Sequence, residues 1–409
     1  MATMSERRLF RAARTLPRAM LGIVAAVTAV ACHGSDDTSA PPIVQSEDSS
    51  GVRLLRLKGD LTTFASPRVA LRREFELGER DGTELYRVIG ATFLASGDLA
   101  IANAGVPEVV IARDGEVVTR FGSRGEGPGE FGVISSIHTL AGERIIVYDH
   151  AQGRLTEFDV AGELHGTRAM TEPSRVADLR PLTLTATGNV VAVYTDQRRF
   201  RPGEVVSDTT PLLRYGPGQS SPDTLSRWHV RTWSFGLSGM GATRTEVPYS
   251  PTLLSSGAGS GFVMANSHES AVTVCDADGE RVRSIRWDAE PRRVSEDDVR
   301  RWNEARWSGL PAGLPEEVRQ SFMDVEAHPF HPVLNGVHMG EGGDVWLAPA
   351  ALLDGSRQTW ILLGPDGAPR GGVRLTEGSI PLASRDGRVA VMTEDEFGVE
   401  IITVSRLSG

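Results

Sequence analysis

Lysine is all but absent: Lys58 stands alone against 42 arginines in 409 residues. Arginine codons are GC-rich, so a GC-rich gene accounts for the excess, and clusters such as Arg198, Arg199 and Arg201 mark no site by themselves. Basic charge is short overall, with 43 basic against 53 acidic side chains and a net charge of −10. That balance argues against nucleic acid as a partner and against electrostatic adhesion to anionic lipid as the main function. Catalytic signatures are missing too. There is no Gly-x-Ser-x-Gly elbow and no paired-cysteine zinc motif, and the sequence nominates no catalytic residue, no cofactor and no metal site. Cysteine occurs only at Cys32 and Cys275.

What is present begins with an address. Arg7, Arg8, Arg11, Arg14 and Arg18 precede a charge-free apolar run, Ala19 to Ala31, of 13 residues. A bilayer span needs about 20, so the run suits the core of a signal peptide. It ends in Ala29-Val30-Ala31-Cys32, which resembles the bacterial lipobox, with Ala29 where leucine is usual. The resemblance implies a signal peptide over 1–31 and lipid attachment at Cys32, with the lipid bilayer as a partner. His33 after the cysteine fits outer-membrane sorting in that pattern, and a place in the cell envelope. Residues 32–50 are polar and rich in Ser and Pro, and read as a flexible tether with a reach of about 25 Å. Loss of 1–31 leaves 38 basic against 52 acidic side chains, a net charge of about −14. With Cys32 lipidated, Cys275 has no partner for a disulfide, and its alternating apolar segment makes it a packing residue.

The region 51–409 is read through its period. A turn and a short apolar strand recur, with Gly97, Gly142, Gly188, Gly261, Gly343 and Gly387 as markers spaced 45, 46, 73, 82 and 44 residues apart. Six copies of one unit with two insertions follow. Within units, Asp114-Gly115, Gly162, Asp278-Gly279 and Asp366-Gly367 separate paired apolar strands, a strong hairpin signal. Units of about 45 residues with four short strands are what a β-propeller blade needs. The fold expected is all-β, a six-bladed β-propeller. Val69, Leu71, Phe75 and Leu77 alternate as a strand that joins 389–391 and 401–404 and closes the ring.

Val147-Tyr-Asp149 followed by Gly153-Arg-Leu-Thr-Glu-Phe-Asp159 resembles the core of NHL repeats. Gly122 to Phe131 resembles the glycine-rich connection of six-bladed bacterial lipoproteins of that group. The segment Pro291 to Leu347 resembles their helical insert. The resemblance covers most of 70–407 and implies fold far more than activity.

The insertion at 292–327 reads as a helical hairpin. Ser295 is the N-cap, Asp298 the residue that answers it, Val294 and Val299 a staple, and a second helix starts at Pro315. Its function would be a lid or a docking surface, or it simply packs on a blade. His328-Pro-Phe-His331 has prolines at both ends of its spacing, so it is not a helical metal pair. Ligand-binding candidates are Asn103, Asp149, His150, Asn266 and His268, which end or follow inner strands where blades reach the axial mouth. Asx residues at such ends also cap turns. The leading reading is a tethered binding or scaffold module for an envelope protein, peptide or glycan. The alternative is a metal-dependent hydrolase or lyase with its site in the axial channel.

Overall fold

The computed structural model describes residues 44–408 apart from 79–83, 141–143, 171–177, 186, 196–202, 220, 239–240, 309–324 and 355–356. The signal peptide and Cys32 therefore lie outside the described residues, as does the second helix expected from Pro315.

Short strands separated by tight turns build six sheets. The first comprises 88–93, 99–103, 108–113 and 116–121, and the second 134–140, 144–149, 154–159 and 164–169. The third holds 178–184, 190–195, 205–215, 223–238 and 241–246. The fourth runs through 253–258, 261–266, 271–276 and 281–286, and the fifth through 334–339, 345–349, 357–363 and 369–376. The sixth combines 380–385, 388–394 and 400–408 with the early strand 70–77. In that last pairing Leu77 faces Ile402, Phe75 faces Val404 and Leu71 faces Leu407, the alternation read in the sequence. The first strand of each sheet contacts that of the next, from 88–93 through 380–385 and from there to 88–93 again.

Each second strand is apolar on both sides because it is covered on both sides. Leu99–Asn103 and Val345–Pro349 are buried throughout. Fourth strands alternate instead, as 116–121 does, because one face meets water. Six apolar clusters result, each shared by two neighbouring sheets. Cys275 belongs to one of them, and burial pushes its thiol up to about 12. At the Asp114-Gly115 turn both residues take positive φ, 51° and 91°, the combination a two-residue hairpin demands and glycine permits.

One segment differs from the sequence reading, and another takes a form that reading had left open. Residues 44–49 do not continue the tether: they pair antiparallel with 52–57, and 53–56 pair in parallel with 283–286 at the edge of the fourth sheet. Leu55, Leu57, Leu61 and Phe64 anchor this addition by entering the cluster between the fourth and fifth sheets. The polarity of 44–49 misled because an edge strand needs only backbone bonds. The first insertion, between Gly188 and Gly261, is a long strand extension, with 205–215 laddered against 223–238.

The antiparallel ladders give every sheet two ends. The turn between first and second strands lies at one, here the turn end. The turn between second and third strands, and the crossover from sheet to sheet, lie at the other, the crossover end.

Candidate functional site

At the turn end the first strands converge on a cavity of about 490 Å³, lined among others by Thr139, Leu184, Ser260, Glu341, Arg385 and Asp386. Glu341 is its chemical centre. One carboxylate oxygen accepts from the Thr92 hydroxyl at 2.8 Å and from the Phe93 amide at 2.9 Å. The other faces the Arg385 guanidinium at 3.2 Å, which also donates to the Phe93 carbonyl. Burial raises the Glu341 pKa above its ordinary value, against the lowering pull of these partners. Deeper along the axis, His338 lies between the hydroxyls of Ser256 and Ser384, each at 3.5 Å. Ser384 donates to Asp344 at 2.8 Å. Burial lowers His338 to about 4, so it is neutral at physiological pH. His138, beside Ser136 at 3.1 Å, is lowered as well, chiefly by desolvation. The cleft therefore offers the hydroxyls of Thr139, Thr185 and Ser260 and the paired Glu341 and Arg385 beside Asp386, a lining suited to hydrogen bonding, with the neutral imidazoles buried beneath it.

The candidates named from sequence lie at the crossover end. Asn103 is fully buried; its Oδ1 accepts from the Tyr86 amide at 2.8 Å, and its Nδ2 donates to the Glu84 carbonyl and to Glu108. Asp149, also fully buried, accepts from the amides of Gly132, Val133 and Gln152. Asn266 accepts from the His268 amide at 3.0 Å. These three side chains bond to the loops of their own sheets, the capping role that Asx residues fill at strand ends. The His150 amide donates to Val133. His268 contacts the Phe330 carbonyl at 3.1 Å and meets the His328 ring edge-on at 4.5 Å. Burial is the main reason its pKa is lowered.

Arg154 explains the repeat motif physically. It donates to the carbonyls of Glu126, Gly127 and Glu130, while Gln152 holds Gly125. The glycine-rich stretch is thus a connection clamped between sheets.

The insertion starts with the helix Glu296–Ser308. The Ser295 amide donates to Asp298 at 2.9 Å, and the Asp298 amide donates back to the Ser295 hydroxyl at 3.2 Å, a reciprocal box with Asp in place of Glu. Asp298 also meets buried His331 at 3.0 Å and Arg301 at 2.7 Å. These hydrogen bonds, that from Ser295 first, hold its carboxyl far below the usual range. His331 is thereby engaged with the helix while His328 sets its ring edge-on to His268. Among the described residues no group of three or more His, Cys, Asp or Glu could hold a metal ion.

Glu341, Arg385 and Thr92 escaped the sequence reading, which looked to the other ends of the strands and weighed His338 only with His328 and His331 as a metal cluster. A signal existed: the residue two before the marker glycine is Glu341 in one repeat and Arg385 in the next. Aligned repeats thus place opposite charges at one level of the axis.

No family model matches the chain, and no curated protein matches it. Among solved structures, it is similar to a Bacteroides fragilis protein described as exported, with a TM-score of 0.50 at 13% identity over 87% of this chain and 100% of that one. It is also similar to a gluconolactonase of Xanthomonas campestris (TM-score 0.43, 11% identity, 90% and 99% covered). A virginiamycin B lyase of Staphylococcus aureus gives 0.37 at 10% identity over 83% and 99%. Six small sheets whose first strands contact one another in succession make the fold a β-propeller.

Proposed function

We propose that this chain is an envelope lipoprotein, anchored through Cys32, whose propeller is a binding module for a polar segment of a peptide or glycan. On this reading the six sheets are six blades of the NHL-related type, and strand 70–77 closes the ring. The observation that carries the binding role is the turn-end mouth, where Glu341 and Arg385 neutralise each other amid hydroxyls and backbone. Such a lining recognises a partner by hydrogen bonds, and Asp386, which also faces Arg385 at 3.5 Å, leaves the mouth one negative charge in excess.

The test uses the full chain on arrays of envelope-derived peptides and glycans. The expected result is saturable capture that falls at least tenfold in Arg385→Ala and in Glu341→Ala, with folding checked by circular dichroism. Capture by neither class, or capture indifferent to both substitutions, overturns the reading.

A further inference from the structure

We infer that the crossover end of the propeller is the face that rests on the bilayer, which leaves the turn-end mouth open to the surrounding compartment. The inference builds on the Cys32 anchor proposed above and adds an orientation that the anchor alone does not specify.

Two independent observations carry it. The first is where the described chain starts. Strand 281–286 ascends from the Asp278-Gly279 turn toward the crossover end, and 53–56 run parallel to it, Arg56 beside Arg286. Residues 44–49 are antiparallel to 52–57, with Val44 opposite Leu57. Val44 therefore stands at the crossover end. Eleven residues, 33–43, separate it from Cys32. Whatever its path, a chain of twelve Cα steps spans at most about 40 Å. A lipid on Cys32 thus holds the crossover end close to the membrane surface.

The second observation is the distribution of exposed apolar side chains. Single exposed hydrophobics are ordinary, but a group on one face marks a contact surface. Ile380 and Phe397 of the sixth sheet, Tyr86, Ile89 and Val106 of the first, and Val133 at the opening of the second are all exposed. Phe397 is 82% exposed and Tyr86 62%, extremes for residues of their size. All six lie at strand starts or second-to-third turns, hence at the crossover end, on three sheets that neighbour one another. The turn end shows a smaller group, Val118, Val160 and Leu164. An acidic body with a net charge of about −14 after removal of the leader gains nothing from anionic headgroups. Apolar contact with neutral lipid is the interaction this arc can make, as aromatic and aliphatic tips do at membrane interfaces.

The experiment places an environment-sensitive dye on the full-length lipoprotein in phosphatidylcholine vesicles, at Phe397→Cys, Val106→Cys or Val160→Cys; Cys275 is buried and does not compete. Nitroxide-bearing lipid is expected to quench the dye at 397 and at 106 at least threefold more than at 160, with aqueous iodide giving the reverse order. In parallel, a fatty-acid analogue tests the anchor in wild type and Cys32→Ser. Labelling at Cys32 with equal quenching at all three positions, or stronger quenching at 160, overturns the orientation and leaves the anchor standing. Absence of label at Cys32 overturns the anchor and the orientation together.

Discussion

At the scale of single residues, two buried polar groups decide measurable behaviour. His338 has its pKa lowered to about 4 by burial, against about 6.5 in an unfolded chain. The folded state then binds fewer protons than the unfolded state between those values, so stability rises with pH across that window and is lost as pH falls through it. The difference amounts to about 3 kcal/mol for one side chain. Urea unfolding at pH 6.5 and at pH 4 should show this loss together with a like one from buried His138, whose pKa is also lowered to about 4, so His338→Gln should remove about half of the total. Glu341 acts with the opposite sign: its raised pKa makes the folded state hold the proton more tightly, so stability falls as pH rises from about 4.5. Glu341→Gln should flatten that limb. Asp149 is a different kind of residue, a carboxylate that takes three backbone N–H groups. Asp149→Asn turns an amide donor toward donors, and should cost about 1–3 kcal/mol by denaturant titration. Its position could be read from the sequence as a strand end, but its partners could not. The choice between facing an axial ligand and capping a loop depends on Gly132 and Val133, which the turn between sheets brings back to it.

At the scale of elements, local chemistry was readable wherever a turn or cap has its own grammar. Asp114-Gly115 adopts the two positive φ values its sequence demands, and Ser295 and Asp298 cap the helix they were expected to cap. The edge hairpin at 44–57 was not readable, because its second strand is chosen by a parallel partner more than 200 residues away. Nor was the level at which Glu341 meets Arg385, since that pairing is a property of neighbouring repeats and not of either alone. The helix cap gives a direct test. Ser295→Ala should cost about 1 kcal/mol. Asp298→Ala should cost more, about 2–3 kcal/mol, because it also strips His331 and Arg301 of a charged acceptor. Loss of signal at 222 nm reports the helix, the single α-helix among the described residues. An Asp298→Ala protein with unchanged helicity and unchanged stability would show that the box and the His331 contact are ornamental.

At the scale of the whole molecule, the question is what keeps the last sheet attached to the first. The sixth sheet takes its fourth strand from residues 70–77, so an early and a late segment of the chain meet in one ladder. Arg388 fastens that meeting. It donates to Glu74 on the early strand at 2.7 Å and to the Gly97 carbonyl of the first sheet at 2.6 Å. Its guanidinium also lies over the rings of Phe75 and Phe93, 5.9 and 5.1 Å from their centres. Arg406 shares the same Glu74 carboxylate at 2.9 Å, and desolvation of that carboxylate is outweighed by the two arginines, which hold its pKa below the ordinary value. One side chain therefore couples the early strand, the late strand and the first sheet. If strand 70–77 is the closure of a six-bladed ring, loosening it should open one seam before the rest unfolds. Arg388→Ala should lower stability by about 1–3 kcal/mol. It should also raise hydrogen exchange selectively at 70–77 and 400–408, with 144–149 and 261–266 still protected. Uniform acceleration across all six sheets would instead mean that the seam has no separate stability, and that closure is spread evenly over the apolar clusters between sheets.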